Sequence, residues 1–291
     1  MRKLVVAFFT ASLLAASASA QGQTAPTLRV VTEDPSLPSE LYYGDVKVKP
    51  VRLRPGTNTP ITIYDNDFFV QQQYIDFLTR FPEPSGFQSW MNVLSACNGD
   101  RNCLDGPDGK RVLVSQLFFM SEEFNIKGDF AFRYYAATLG RRATYPEFVA
   151  DMRSLTGATG PETLAKRDAF AAAWVNRPEF KASYDALNNT QFVDRVLQTA
   201  GVTVSNRQQL IDSLNGGTSR AAVLRQIIEG QEVREKLRDP SFVAIQYYGY
   251  LRREPEQAGF DAWLNYLRQH PGDYKTMVWG FVYSSEYRNR H

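Results

Sequence analysis

The chain has 291 residues, with 33 Lys and Arg against 31 Asp and Glu, only 2 His and 2 Cys, and 43% hydrophobic residues. That near-balance gives no reason to expect nucleic acid or an anionic membrane as a partner. So few His and Cys leave little from which to build a metal centre. The length fits one large or two small domains, and 13% aromatic residues predict an aromatic-rich core.

Taken in chain order, the first segment is MRKLVVAFFTASLLAASASAQG. Arg2 and Lys3 precede an apolar stretch from Leu4 to Ala16 that is too short to span a bilayer. Ala18-Ser19-Ala20 satisfies the small-residue cleavage rule, so residues 1–20 read as a signal peptide cut before Gln21. No other stretch is apolar enough to cross a membrane. The expected location is therefore periplasmic, extracellular or cell-surface. Without Arg2 and Lys3 the basic count falls to 31, equal to the acidic count.

Residues 21–64 hold many of the prolines. "DVKVKPVRLRP" and "TPITIY" alternate like strands, but Pro50 and Pro55 argue against a central strand. The segment reads as an extended linker along the body, or as an edge that adds to another protein's sheet.

From residue 65 to 290 the chain repeats itself. "FVQQQYIDFLTRFPEPSGFQSWMNVL" (69–94) returns as "FVAIQYYGYLRREPEQAGFDAWLNYL" (242–267). Tyr74, Arg80, Gly86 and Trp90 recur as Tyr247, Arg253, Gly259 and Trp263. Weaker echoes begin at Phe130 and Phe192. Each copy closes alike, with Glu123, Glu179, Glu232 and Glu286 in the same place before Phe124, Phe180, Val233 and Tyr287. The reading is four related helical units, about 65–128, 129–188, 189–238 and 239–290. The fold class is all-α, a helical repeat or bundle behind an extended Pro-rich segment.

Apolar spacing within the copies is helical. Asp65, Asp129, Thr190 and Asp239 are expected to start the four first helices, with Pro240 at N1. Ser121 and Ser284 are expected to cap a short closing helix that carries Glu123 and Glu286. Trp90 and Trp263 are expected to be core anchors.

Trp90 to Glu123 is ten residues longer than Trp263 to Glu286, and the extra loop holds Cys97 and Cys103. Five polar or small residues between the cysteines, in an exported chain, favour a local disulfide. Asn98, Asp100 and Asn102 mimic the start of a calcium loop, but Cys103 and Gly109 replace its turn Gly and bidentate Glu.

The fragment "FFVQQQYIDFLTRFPEPSGFQSWMNVLSAC", its echo at 242–267 and the closing "SSEY" resemble the bacterial family called domain of unknown function 4214. That family shows an aromatic-rich helix ending Leu-x-Arg, a Pro-x-x-x-Gly turn, a Trp-bearing helix and a Ser-x-Glu-aromatic element. Residues 69–94 and 242–287 fit it. The middle copies depart: "GRRATYPEF" lacks the turn, and "AGVTVSNRQQL" lacks the Arg and the Trp. The layout from about Asp65 to Arg290 is similar to exported multi-copy proteins of soil bacteria. The resemblance implies a helical fold and an exported setting, and supplies no catalytic residues.

No nucleophile elbow, phosphate loop or histidine constellation occurs, so no catalytic residue, metal or cofactor is assigned. The carboxylates Glu83 with Glu123, and Glu256 with Glu286, are the one arrangement open to glycosidase-type chemistry. Their places beside helix starts favour a structural role. Arg80, Arg141 and Arg253 are expected to pair with their own unit's Glu, or to cap helix-end carbonyls, rather than to bind an anion. The function expected is a non-catalytic interaction or scaffold protein whose partner is another exported protein or envelope component. The alternative is a glycan-binding module built on the tyrosines.

Overall fold

The computed structural model describes residues 28–31, 40–43, 46–48, 52–53, 60–157 and 160–291, with side chains from residue 61 onward except at 160. The expected signal peptide and its cleavage point lie outside the described residues.

Short strands precede the helical body. Leu28–Val31, Glu40–Tyr43 and Val46–Val48 pair as an antiparallel sheet in that order. Arg52–Leu53 pairs with Pro60–Ile61. The alternation seen in sequence thus forms strands that pair within the chain.

From Asn66 onward the described residues are helical. Unit 1 comprises α1 (Asn66–Leu78), α2 (Pro84–Ser95), α3 (Arg101–Leu104) and α4 (Lys110–Met120). Then α5 (Glu122–Phe124) runs without a break through a π-turn at Asn125–Asp129 into α6 (Phe130–Tyr134) and a second π-turn at Tyr135–Leu139. Next come α7 (Tyr145–Leu155), α8 (Gly160–Trp174) and α9 (Pro178–Tyr184). Unit 3 holds α10 (Asn189–Ala200), α11 (Arg207–Asn215) and α12 (Arg220–Glu229). Unit 4 is entered by α13 (Gln231–Gln246) and its π-turn Tyr247–Leu251, followed by α14 (Gln257–Gln269), α15 (Tyr274–Val282) and α16 (Ser285–Arg290).

Ser121 and Ser284 cap the closing elements as expected, accepting from the backbone N–H of Phe124 and Tyr287 at 3.2 and 3.1 Å. The other start signals need correction. Asp65 takes the N-cap position without a capping bond and accepts from the Thr62 N–H instead. Asn188, not Thr190, caps α10, in a capping box with Gln191. Asp129 lies inside a continuous helical run and pairs with Arg133. Asp239 and Pro240 lie inside α13. A mid-helix proline costs ~3 kcal/mol. The buried face of α13, with Val233, Leu237, Val243 and Ala244, opposes that cost. The closing element of one unit therefore grows straight into the first helix of the next, between units 1 and 2 and between units 3 and 4.

The units are paired. The first helix of unit 1 packs on that of unit 4, and α4 packs on α15. In the same way the first helices of units 2 and 3 meet, as do α8 and α12. Phe77 and Tyr250 hold equivalent places in units 1 and 4, and their rings touch each other at 4.8 Å. Contact between equivalent residues marks a local pseudo-two-fold. The close approach is permitted by Gly249, where a Cβ would lie 2.0 Å from the Phe77 ring.

Cys97 and Cys103 are joined, with Cα atoms 5.5 Å apart. The bridge closes the loop between α2 and α3. Mass spectrometry of native protein, before and after reduction, is expected to differ by the mass of two hydrogens. Reduction is expected to cost less than ~3 kcal/mol, because so short a loop constrains few unfolded conformations. Free thiols in protein isolated without reductant would refute the pairing.

Candidate functional site

The repeated motif builds the same cluster three times. In units 1, 2 and 4 the first helix ends in a widened turn. The Thr79 N–H reaches back to the Tyr74 carbonyl, and Tyr135–Leu139 and Tyr247–Leu251 are π-helical. A left-handed residue follows: Thr79 (φ 54°), Gly140 (φ 64°) or Arg252 (φ 51°). The motif arginine comes next. Unit 3 lacks that arginine, and its helix closes with ordinary bonds from the Gly201 N–H to Gln198 and Leu197. From Phe192 to Gly201 it is one residue shorter than from Phe69 to Thr79. A π-turn is one residue wider than an α-turn, so the extra residue and the arginine arrive together.

Each arginine makes four or five hydrogen bonds. Arg80 donates through Nε and Nη2 to the two carboxylate oxygens of Glu123, at 2.8 and 2.6 Å. Its Nη1 donates to Glu83 and to the Phe81 carbonyl. Arg141 forks onto Glu179 at 2.9 and 2.7 Å and also holds Glu147. Arg253 forks onto Glu286 at 2.7 and 3.0 Å and holds Glu256. Each guanidinium also lies over its unit's tyrosine, 4.9 Å from Tyr74, 5.0 Å from Tyr135 and 5.4 Å from Tyr247. Planar, bidentate geometry of this kind is what arginine supplies and lysine does not.

The motif glycines belong to the same clusters. A Cβ at Gly86 would lie 2.4 Å from the Tyr74 hydroxyl, and one at Gly259 would lie 2.5 Å from that of Tyr247. The tyrosine tip thus needs a bare backbone at the start of α2 or α14. Tyr74 and Tyr247 are 3% and 5% exposed. Burial, reinforced by Glu83 and Glu256 respectively, raises both phenols above their ordinary range. Trp90 and Trp263 are only partly buried against the core, at its edge, and are not the anchors expected. They stand beside Phe118 and Phe281, which make edge-on contacts with Tyr74 and Tyr247, each at 4.9 Å.

In these clusters the closing glutamates are held ionised. Burial pushes the Glu123 carboxyl upward, but hydrogen bonds from Arg80 and Lys127 prevail and hold it below the usual range. Hydrogen bonds from Arg141 and Arg253 lower Glu179 and Glu286. Glu147 is held at about 2, chiefly by Arg141. A general acid for glycoside cleavage needs the opposite shift. Among the described residues no group of three His, Cys, Asp or Glu is placed to hold a metal ion.

Because these carboxylates have depressed folded values, their stabilisation is present above the unfolded range near 4.5. It is lost as pH falls toward about 2. Urea midpoints are expected to decline between about pH 5 and 2, and Glu123→Gln with Glu179→Gln and Glu286→Gln should flatten the decline. An unchanged slope in that variant would assign the acid sensitivity elsewhere. The pair coupling is expected to follow burial. In double-mutant cycles Arg80 with Glu123 should couple by about 1.5–3 kcal/mol. The more exposed Arg253 with Glu286 should couple by about 0.2–1 kcal/mol. Strict additivity at both would show that the forks contribute nothing.

A second repeated contact escaped the sequence reading. Twelve residues before each closing glutamate stand Arg111, Arg167, Arg220 and Tyr274. Each faces the phenylalanine that opens its copy of the repeat: Arg111 lies 6.0 Å from Phe69, Arg167 4.7 Å from Phe130 and Arg220 4.9 Å from Phe192, while the Tyr274 and Phe242 rings are 4.5 Å apart. Arg111 donates to the Tyr64 carbonyl, and Arg220 to the carbonyls of Tyr184 and Leu187. In units 1 and 3 the arginine thus fastens the segment that leads into the first helix. In unit 4 the tyrosine hydroxyl donates to Asp239 at 2.7 Å instead. Beside it a cavity of about 370 Å³ opens, walled by Phe119, Met120, Phe124, Phe242 and Tyr274, with Arg234 and Arg238 at the rim.

Residues 234–291 match the family model described as Domain of unknown function (DUF4214). The match begins inside α13 and runs to the last residue, so it covers unit 4, with its Tyr247, Arg253, Gly259, Trp263 and Glu286. Neither the curated proteins nor the solved structures gave a match to the chain.

Proposed function

We propose that the protein is exported and acts without catalysis of its own, as a rigid helical scaffold that binds another exported protein or an envelope component. The observation that carries this reading is the division of labour among its side chains. The repeated charged residues are spent on internal forks, and an apolar row on α4 is left to solvent. Leu113, Leu117 and Met120 lie at helical spacing and are 36%, 37% and 62% exposed. Contiguous apolar surface of this kind marks interaction sites. The burial of Tyr74 and Tyr247 counts against the glycan alternative, while Trp90 and Trp263 stay partly exposed.

Export is supported by the signal-like residues 1–20 and by the disulfide. No helix of the described residues is long and apolar enough to cross a membrane. Fractionation of producing cells, with N-terminal sequencing of the released chain, should find Gln21 first. Full-length protein retained in the cytoplasm would refute export. Cross-linking of the tagged chain in its native envelope should recover a partner that is lost with Leu117→Glu. A glycan array run beside it should remain blank. Recovery insensitive to Leu117→Glu, or a specific glycan signal, would overturn the scaffold reading.

A further inference from the structure

Units 1 and 4 face each other across the pseudo-two-fold, and each offers a seat beside its repeat-opening phenylalanine, Phe69 or Phe242. In unit 1 that seat is filled. Ile63 and Tyr64 lie there with Phe69 and Arg111, closed by Val282 and Tyr283 of unit 4, and only about 10 Å³ is left. Arg111 binds the Tyr64 carbonyl and the Asn66 side chain. Unit 3 repeats the arrangement, with the carbonyls of Tyr184 and Leu187 on Arg220.

In unit 4 the corresponding positions are Phe242, Tyr274, Phe119 and Met120, and they wall the cavity of about 370 Å³. The seat is open because of how the chain arrives. Unit 1 is entered by a hydrogen-bonded turn over residues 62–65 that lies across its seat. Unit 4 is entered by the uninterrupted α13. A helix carries its backbone bonds within itself and leaves the seat uncovered.

We propose that the open seat of unit 4 binds a tight peptide turn of a partner protein, carrying an aliphatic–aromatic pair followed by an acidic residue. This proposal rests on the interaction-protein reading and names the chemistry of its partner. The filled seat supplies the template, since Ile63-Tyr64-Asp65 is such a turn, closed by the Asp65 N–H on the Thr62 carbonyl at 2.9 Å. The walls of the open seat are aromatic, and its volume lies within the range of about 300–1,000 Å³ common for ligand sites. Gln116, Asn125 and Ser241 offer bonds to a peptide backbone. Arg234 and Arg238 are exposed at the rim. Among the described residues the one carboxylate that lines the cavity, Asp129, is paired with Arg133, and Asp239 nearby is held by Tyr274. The mouth therefore favours an acidic group. Met120 is 62% exposed and sits where the apolar row of α4 reaches the cavity, which gives a longer partner segment a continuous path.

The probe is the blocked peptide Ile-Thr-Ile-Tyr-Asp, titrated into the intact exported chain by calorimetry. Saturable binding is expected. Met120→Glu and Arg238→Glu should each weaken it at least tenfold, and Leu164→Glu, an exposed apolar site on α8, should leave it unchanged. Replacing the peptide's Asp by Lys should weaken binding about tenfold, and adding salt should weaken it further. No saturable binding, or equal affinity in the Met120→Glu and Leu164→Glu proteins, would overturn the proposal. Free 4-hydroxyphenylacetate binding as tightly as the peptide would make the seat a small-molecule site and overturn it too. So would a concentration-dependent dimer abolished by Met120→Glu, which would make the occupant a second copy. If Met120→Glu abolishes peptide binding yet leaves the envelope partner captured, the seat stands but is not where that partner binds, and the proposal fails. The scaffold reading fails separately, on the Leu117→Glu experiment.

Discussion

Asp76→Ala is expected to destabilise the protein by about 3–5 kcal/mol, the cost of leaving half-buried cations without their counter-charge. The Asp76 side chain is 1% exposed at the joint between units 1 and 4. It accepts from Gln72 at 3.0 Å and from Arg252 at 3.2 Å, and Arg290 lies 4.0 Å away. Arg290 donates to the Tyr250 carbonyl as well. Burial, then the neighbouring charge of Arg252, lowers its guanidinium to about 10, and Asp76 opposes that fall. Two cations thus share one buried carboxylate. Removing the carboxylate leaves both half-buried cations to repel each other across the gap where Asp76 stood. Asp76→Asn keeps the shape but removes the charge, and should fall between wild type and Ala. Adding Arg252→Met and Arg290→Met to Asp76→Leu should recover most of the loss, because an apolar replacement of the whole cluster has no charge to strand. Urea denaturation followed by two probes measures each variant. A loss below about 1 kcal/mol for Asp76→Ala would show that the arginines find water or other partners.

Neither Asp76 nor Arg290 stood out in the sequence, and the reason is physical. Asp76 is matched in the fourth unit by Gly249. The pseudo-two-fold uses the two positions differently, one to hold charge and one to admit the Phe77 ring. Repeat logic finds residues that every copy keeps. A joint between copies needs residues that differ, because two identical surfaces crowd each other at the axis. The Arg–Glu forks were legible because each is satisfied inside one unit, so the same residues return at the same spacing. The pairing of unit 1 with unit 4 was not legible, since periodicity records that units are alike and not which of them touch. The helix starts expected at Asp129 and Asp239 are absent for a related reason. A Ser or Gly one element earlier had already opened the helix, and a local Asp-Pro signal does not end a helix whose buried face continues. The Phe–Arg seats were legible in principle. A constant step of twelve residues back from the closing glutamate finds Arg111, Arg167 and Arg220, and finds the tyrosine that breaks the series.

The tryptophan that holds the core is Trp174, and Trp174→Ala is expected to cost about 3–5 kcal/mol. Its side chain is fully buried. Its indole N–H donates to the Thr138 hydroxyl at 3.1 Å, Tyr135 meets it edge-on at 4.7 Å, and Arg177 lies 4.2 Å above its ring. Truncation would open a large cavity, orphan the Thr138 contact and remove the ring beneath Arg177. Sequence spacing explains the position. Trp174 stands six residues before the closing Phe180, as Phe118 stands before Phe124, Ile227 before Val233 and Phe281 before Tyr287. That place receives the rim of the first helix in every unit, and unit 2 fills it with the largest side chain. Trp90 and Trp263 instead belong to α2 and α14, where one side of the ring faces solvent. Trp90→Ala and Trp263→Ala should therefore cost about half as much as Trp174→Ala, because transfer free energy scales with the area withdrawn from water. Parallel urea titrations of the three variants decide the ranking. Equal losses at all three would place Trp90 and Trp263 in the core after all. A loss under about 1 kcal/mol at Trp174 would mean that unit 2 repacks around the gap, and that its first helix is held by the Arg141 fork rather than by the ring.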